Sequence, residues 1–252
     1  MNLIASSLAA ITTITSPLSN IDFNMLALTP KEVENKLDSI LLFTPSDNDG
    51  KPMSFEFDVD GNKKNIYFAA FSPTAINFLN DKVIIQSKDK GAKFTYSARS
   101  LSKFNSLIEV EKKKSKKEIF DTIYIPDPEQ SEISKKLLLE QGYKEDDIDN
   151  IVQNNPMIFC PNPTVTATEN ATKSTYIPCS TDYITMKGLV EKAKIKKKYP
   201  WSKAVKPKVI AIPLSQFINT LKTSEEDNIK DIKVIPSPSI IKVINQINSK
   251  KK

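Results

Sequence analysis

What most limits the fold of this chain is that it repeats itself once. The run ILLFTP at Ile40 to Pro45 matches PMIFCP at Pro156 to Pro161 at an offset of 116. Ile66-Tyr67-Phe68 answers Thr175-Tyr176-Ile177, and Ser72 answers Ser180. SLSKF at Ser100 to Phe104 answers PLSQF at Pro213 to Phe217, and YIPDP at Tyr124 to Pro128 answers VIPSP at Val234 to Pro238. The matches keep one order, with offsets near 110. Such a period is too long for a solenoid repeat and points to a duplicated half-domain.

The order of elements follows from the pattern within each half. Apolar runs at 39–44 and 156–160 read as first strands, with second strands near 65–71 and 174–179 beyond a polar loop. Ser72 before Pro73 is a helix cap followed by proline at the first helical position, and Ser180 is expected to cap the matching helix. The first of these helices carries Ile76 and Leu79. The second carries Ile184, Leu189 and Ile195 and stops at Pro200. Third strands fall at 93–98 and 208–212, each running into a short helix through the Leu-Ser-x-Phe element. Fourth strands at Ile119 to Ile125 and Ile232 to Ile235 end at Pro-x-Pro, because proline lacks the N–H that a central ladder requires. Closing helices are expected at Glu129 to Gln141 and Ser239 to Asn248, with Ile133, Leu137 and Leu138 in one and Ile240, Ile241, Ile244 and Ile247 in the other. A lead-in helix covers Pro30 to Asp38 behind Thr29.

The expected fold is therefore α/β (mixed α+β). Two pseudo-symmetric β-β-α-β-α-β-α half-domains arise by internal duplication behind an N-terminal helical lead-in. The divisions are 1–38, 39–149 and 150–252. The acidic stretch Lys144 to Asp149 reads as a solvated linker, and the lysine-rich Glu111 to Glu118 as a solvated loop.

Composition closes most routes to catalysis. The chain has no histidine, which removes imidazole bases and imidazole metal sites. Its five glycines, at 50, 61, 91, 142 and 188, are too scattered for a phosphate-cradling loop. The net charge is +6, but Arg99 is the only arginine, so the basicity suits diffuse attraction better than base readout. No apolar run approaches the roughly 20 residues of a membrane helix. Lys31 is the first basic residue, so the start reads as a mature chain with targeting information removed or absent. The chain is expected to be no enzyme and to need no metal or cofactor.

The words Leu28 to Val33, Leu37, Ile40 to Thr44, Ser72 with its helix, Val209 to Ser215 and Val234 to Pro238, taken in this order, resemble the Tic22 family. Members are subunits of the translocon at the chloroplast inner envelope, with relatives in cyanobacteria and apicomplexan plastids. The likeness runs from about 26 to 248, with 111–118 and 162–173 as insertions. It implies a chaperone-like, non-enzymatic import factor of an apicoplast-like plastid. Such a factor sits between envelope membranes or peripherally at one, and its partners are unfolded preproteins and translocon components.

Apolar grooves suit such a role because their contacts tolerate many sequences. Candidate lining residues are Phe68, Phe71 and Phe94 in the first half, and Tyr176, Tyr183 and Trp201 in the second. The alternative for each is an ordinary place in the core. Cys160 and Cys179 end neighbouring strands and allow a cross-strand disulfide if the register sets them opposite. Two free, half-buried thiols are the preferred reading. Asn170-Ala171-Thr172 forms a glycosylation sequon that a plastid address leaves unused, and Asp146, Asp147 and Asp149 read as solvated linker rather than a cation site. Two rivals stand beside the binding reading. One is a thiol-dependent enzyme on a thioredoxin-like scaffold, disfavoured by the lack of Cys-x-x-Cys. The other is nonspecific nucleic-acid binding through Lys112 to Lys117 and Lys196 to Lys198.

Overall fold

A computed structural model describes residues 28–59, 61–89, 91–114, 120–169, 171–195, 207–224 and 226–249. The lead-in helix α1 is Pro30–Leu37, opened by a full capping box in which Thr29 and Glu32 bond each other's main chain. Three strands follow, β1 (Leu41–Ser46), β2 (Ser54–Val59) and β3 (Asn62–Ala70). Helix α2 (Pro73–Phe78) continues through a π turn at Leu79–Val83 and a 3-10 turn at Ile84–Gln86. Strand β4 (Thr95–Ser100) runs into α3 (Leu101–Lys114), and β5 (Phe120–Ile125) is followed by α4 (Ser131–Glu140).

Helix α5 (Glu145–Asn154) leads to β6 (Met157–Asn162), the short β7 (Ala167–Thr168) and β8 (Thr175–Ser180). Helix α6 (Tyr183–Ile195), β9 (Lys208–Pro213), α7 (Leu214–Thr223), β10 (Ile232–Ile235) and α8 (Pro238–Ser249) complete the described chain.

The strands form two mixed sheets of the same order. In the first, β5 pairs parallel with β3, β3 meets β1, and β1 pairs antiparallel with β4. In the second, β10, β8, β6 and β9 stand in the same relations. Even single registers correspond: Phe43 faces Ala70 and Ala98, as Phe159 faces Ser180 and Ala211.

These registers correct the sequence alignment in the second strand. Ala70 answers Ser180, so Ile66 answers Tyr176 rather than Thr175. A one-residue slip matters because it sends every side chain to the opposite face. The cap moves with it. Ser72 accepts from the Ala75 N–H at 3.0 Å, and its counterpart is Asp182, whose Oδ2 accepts from the Thr185 N–H at 2.7 Å. Ser180 instead accepts from the Asp182 N–H.

Other expectations change as well. Each half holds an extra strand, β2 or β7, in the segment read as a polar loop. In β2 the alternation of Phe55, Phe57 and Val59 with Glu56 and Asp58 is a strand signal, and its apolar side enters the core of the first sheet. The two-residue β7 carries no such pattern. Residues 111–114 extend α3 rather than starting a loop, and 145–149 belong to α5 rather than a linker. Helix α6 turns Met186 and Val190 inward and leaves Ile184 70% exposed. The Ile195 side chain and Pro200 lie outside the described residues. Ile241 of α8 is likewise exposed.

Three cores fill the structure, and strand alternation assigns them. Leu42, Tyr67, Ala69 and Phe71 of the first sheet and Ile158, Cys160, Cys179 and Val234 of the second meet one shared core, with Val33, Phe104, Leu214 and Phe217 from α1, α3 and α7. The opposite face of the first sheet, with Phe43, Phe55, Ile66 and Phe68, is covered by α2 and by Ile240 of α8. The opposite face of the second, with Met157, Phe159, Val209 and Ala211, is covered by α6 and by Leu137, Leu138, Ile148 and Val152 of α4 and α5. The closing helices are thus exchanged: α4 packs on β9, and α8 packs on β4.

Candidate functional site

The described residues hold several hollows, and the most apolar lies beside the first sheet. It has a volume of about 270 Å³ and sits between β5, the end of α2 and the C-terminal turn of α5. Phe68, Phe78, Val83, Ile123, Ile125 and Val152 supply its apolar wall, Gln153 and Asn154 its polar rim, and Lys82 its only charge. The surrounding fold sets this composition. Strand alternation brings Phe68, Ile123 and Ile125 to one face, and the π turn swings Lys82 and Val83 over it. Tyr124 on β5 bonds Asn105 at 2.9 Å and packs edge-on against Phe71, and burial pushes its phenol up to about 12.

A second groove of about 440 Å³ runs between α1 and the start of β8 and β10. It is polar by comparison, with Glu32, Asn35, Lys36, Ser39, Thr175, Lys230, Asp231 and Lys233 around Leu28 and Tyr176. Lys233 lies 5.4 Å from the Tyr176 ring centroid and pairs with Glu169 at 2.7 Å. That bond from Lys233 is the largest cause holding the Glu169 carboxyl below its usual range. Burial lowers the Lys36 ammonium, which donates to the carbonyls of Lys230 and Ile232.

The residues proposed from sequence do not converge on one groove. Phe68 is 1% exposed and forms the floor of the apolar cavity, whereas Phe71 is buried in the shared core. Phe94 is half-buried, edge-on to Phe55 and Tyr96. Tyr176 lines the polar groove, and Tyr183 packs on Phe159 over the far face of the second sheet. Trp201 lies outside the described residues. Phe78, Lys82 and Gln153 were missed because the π turn and α5 carried no sequence signal that would bring them together.

Cys160 and Cys179 form a disulfide rather than two free thiols, with Cα atoms 4.4 Å apart. The register that places Phe159 opposite Ser180 puts them directly across from each other. Among the described residues no acidic or thiol cluster suits a metal ion. Asp149 pairs with Lys135 at 2.9 Å. Asn170, Lys116, Lys117 and Lys196 to Lys198 lie outside the described residues. Of the first lysine run, Lys114 pairs with Glu111. No described helix is long and apolar enough to cross a membrane.

Comparison with solved structures places the fold. Anabaena Tic22, titled as protein transport, matches with a TM-score of 0.64 at 15% identity, over 87% of this chain and 97% of that one. Tic22 from Plasmodium falciparum matches with a TM-score of 0.60 at 16% identity, over 87% of this chain and 99% of that one. No family model and no curated protein matches the chain in sequence. The fold is that of these Tic22 structures.

Proposed function

We propose that this protein is a plastid protein-import factor. It holds unfolded segments of preproteins by apolar contact and engages translocon components, between the envelope membranes or peripherally at one of them. The observation that carries this reading is the Tic22 fold across 87% of the chain, one such structure being titled protein transport. The hollow beside β5 supports it, because an almost wholly apolar wall with a single ammonium discriminates little between sequences. The shared strand order and register of the two sheets fit a duplicated ancestral unit.

The chemistry of the cysteines weighs against the thiol-enzyme alternative. Both are committed to one disulfide, and Cys179 is fully buried, so neither offers an attacking thiolate.

Site-specific photo-crosslinking of a preprotein arrested in transit tests the proposal. Probes replacing Phe78 and Gln153 are expected to capture the client, and a probe replacing exposed Lys187 on α6 is expected to stay silent. Equal capture at all three positions, or none, would refute holding at this hollow.

A further inference from the structure

The open edges of the two sheets differ at particular residues. In a parallel ladder the N–H and C=O of one residue point to the same side. The Ile125 carbonyl accepts from the Phe71 N–H at 3.4 Å, so Ile125 turns toward β3. Thr122 and Tyr124 therefore turn their main-chain groups outward. The matching register in the second sheet turns Ile232 and Val234 outward; there Lys36 Nζ donates to the Ile232 carbonyl at 2.7 Å, while the Val234 groups meet no partner among the described residues. On the open edge of β9, Gln141 bonds both main-chain groups of Ala211. On β5, no main-chain or side-chain partner meets the outward groups of Thr122 and Tyr124 among the described residues.

The apolar hollow lies along this unpaired edge. At about 270 Å³ it falls below the roughly 300–1,000 Å³ of sites built for drug-sized ligands and cofactors. It suits one or two side chains of a larger partner. Main-chain donors and acceptors at every second residue call for another extended main chain. Lys82 is exposed at the rim of this space and makes no ion pair among the described residues, so an acidic group of an occupant would meet a complementary charge there.

We propose that β5 accepts an extended segment of a client polypeptide as an added strand. Its main chain pairs with Thr122 and Tyr124, a bulky apolar side chain enters the hollow, and an acidic group meets Lys82. This rests on the client-holding reading above and deepens it by naming backbone pairing as the mode of capture.

The test is fluorescence anisotropy with two short labelled peptides. One alternates Val and Thr around a central Phe, with an Asp two residues on. The other is identical but N-methylated on alternate amides. The unmodified peptide is expected to bind at least roughly tenfold more tightly, as the loss of two main-chain hydrogen bonds dictates. Thr122→Pro removes an outward N–H that the ladder to β3 does not use, and should weaken the unmodified peptide to a similar degree. Lys82→Gln should weaken it severalfold and flatten its salt dependence.

Equal binding of the two peptides to the wild-type protein would overturn the inference without reliance on any variant. Unchanged binding to a Thr122→Pro protein with native circular dichroism would do the same. Reduced, carboxymethylated α-lactalbumin separates the two levels. If it binds and neither peptide does, strand addition fails while client holding stands; if nothing binds, both fail.

Discussion

Gln141, one residue beyond the end of α4, donates from its side-chain amide to the Ala211 carbonyl at 2.9 Å and accepts from the Ala211 N–H at 2.8 Å. A single side chain thereby imitates a neighbouring strand and fastens the closing helix of the first half to an edge of the second sheet. Gln141→Ala should lower unfolding free energy by about 1–2 kcal/mol, the worth of two half-buried hydrogen bonds. Urea denaturation with an unchanged slope checks it. An unshifted midpoint would show that water replaces the amide without loss.

The exchange of α4 and α8 makes a spatial prediction. Ile240 is 2% exposed and belongs to the core of the first sheet, although its helix ends the second half. Ile240→Ala should cost about 2–4 kcal/mol. Hydrogen exchange should speed up first in β1, β3 and β4 and leave β6 and β9 protected. Faster exchange in the second sheet alone would contradict the exchanged arrangement.

The disulfide should be invisible to reagents until the protein opens. Both thiols are consumed by the bond, so thiol titration should find no reactive group in the native protein or in unreduced denaturant, and burial of Cys160 and Cys179 should keep reductants from the bond while the protein is folded. Replacing both by Ser should cost about 2–4 kcal/mol, because the bridge ties residues 19 apart in sequence. Two titratable thiols in the unreduced chain would be decisive against the bond.

Acid should weaken the fold through its surface glutamates. Glu32 is held below the ordinary value of 4.5 by the Thr29 N–H and hydroxyl, Glu56 by Lys88, Glu111 by Lys51 and Lys114, and Glu169 by Lys233. Each binds its proton less readily when folded, so its contribution is complete above 4.5 and is lost as pH falls through the folded values. Stability should hold from neutrality to about pH 5 and then decline. Glu169→Gln should make that decline shallower. A midpoint that does not move between pH 5 and pH 3 would show these partners to be inconsequential.

The amino-acid order by itself determined the local pieces. The Thr29 and Ser72 caps, the prolines that end β5 and β10, and the apolar runs of β1 and β6 act through neighbouring bonds and sterics, so their signals are contiguous in the chain. It also matched ILLFTP at Ile40 to Pro45 with PMIFCP at Pro156 to Pro161, and these runs fall on β1 and β6, which hold the same place in their sheets. Only the tertiary structure decided where those pieces meet. The register of β8, off by one in the alignment, is set by the face that carries Cys179 into the shared core. The crossing of α4 and α8 depends on the apolar face each sheet presents, and a helix stripe does not name its partner. The candidate site belongs to that second kind: Phe68, Lys82, Ile123 and Gln153 come from four separate elements. They are far apart in the chain, and only the packing of these elements brings them around one hollow.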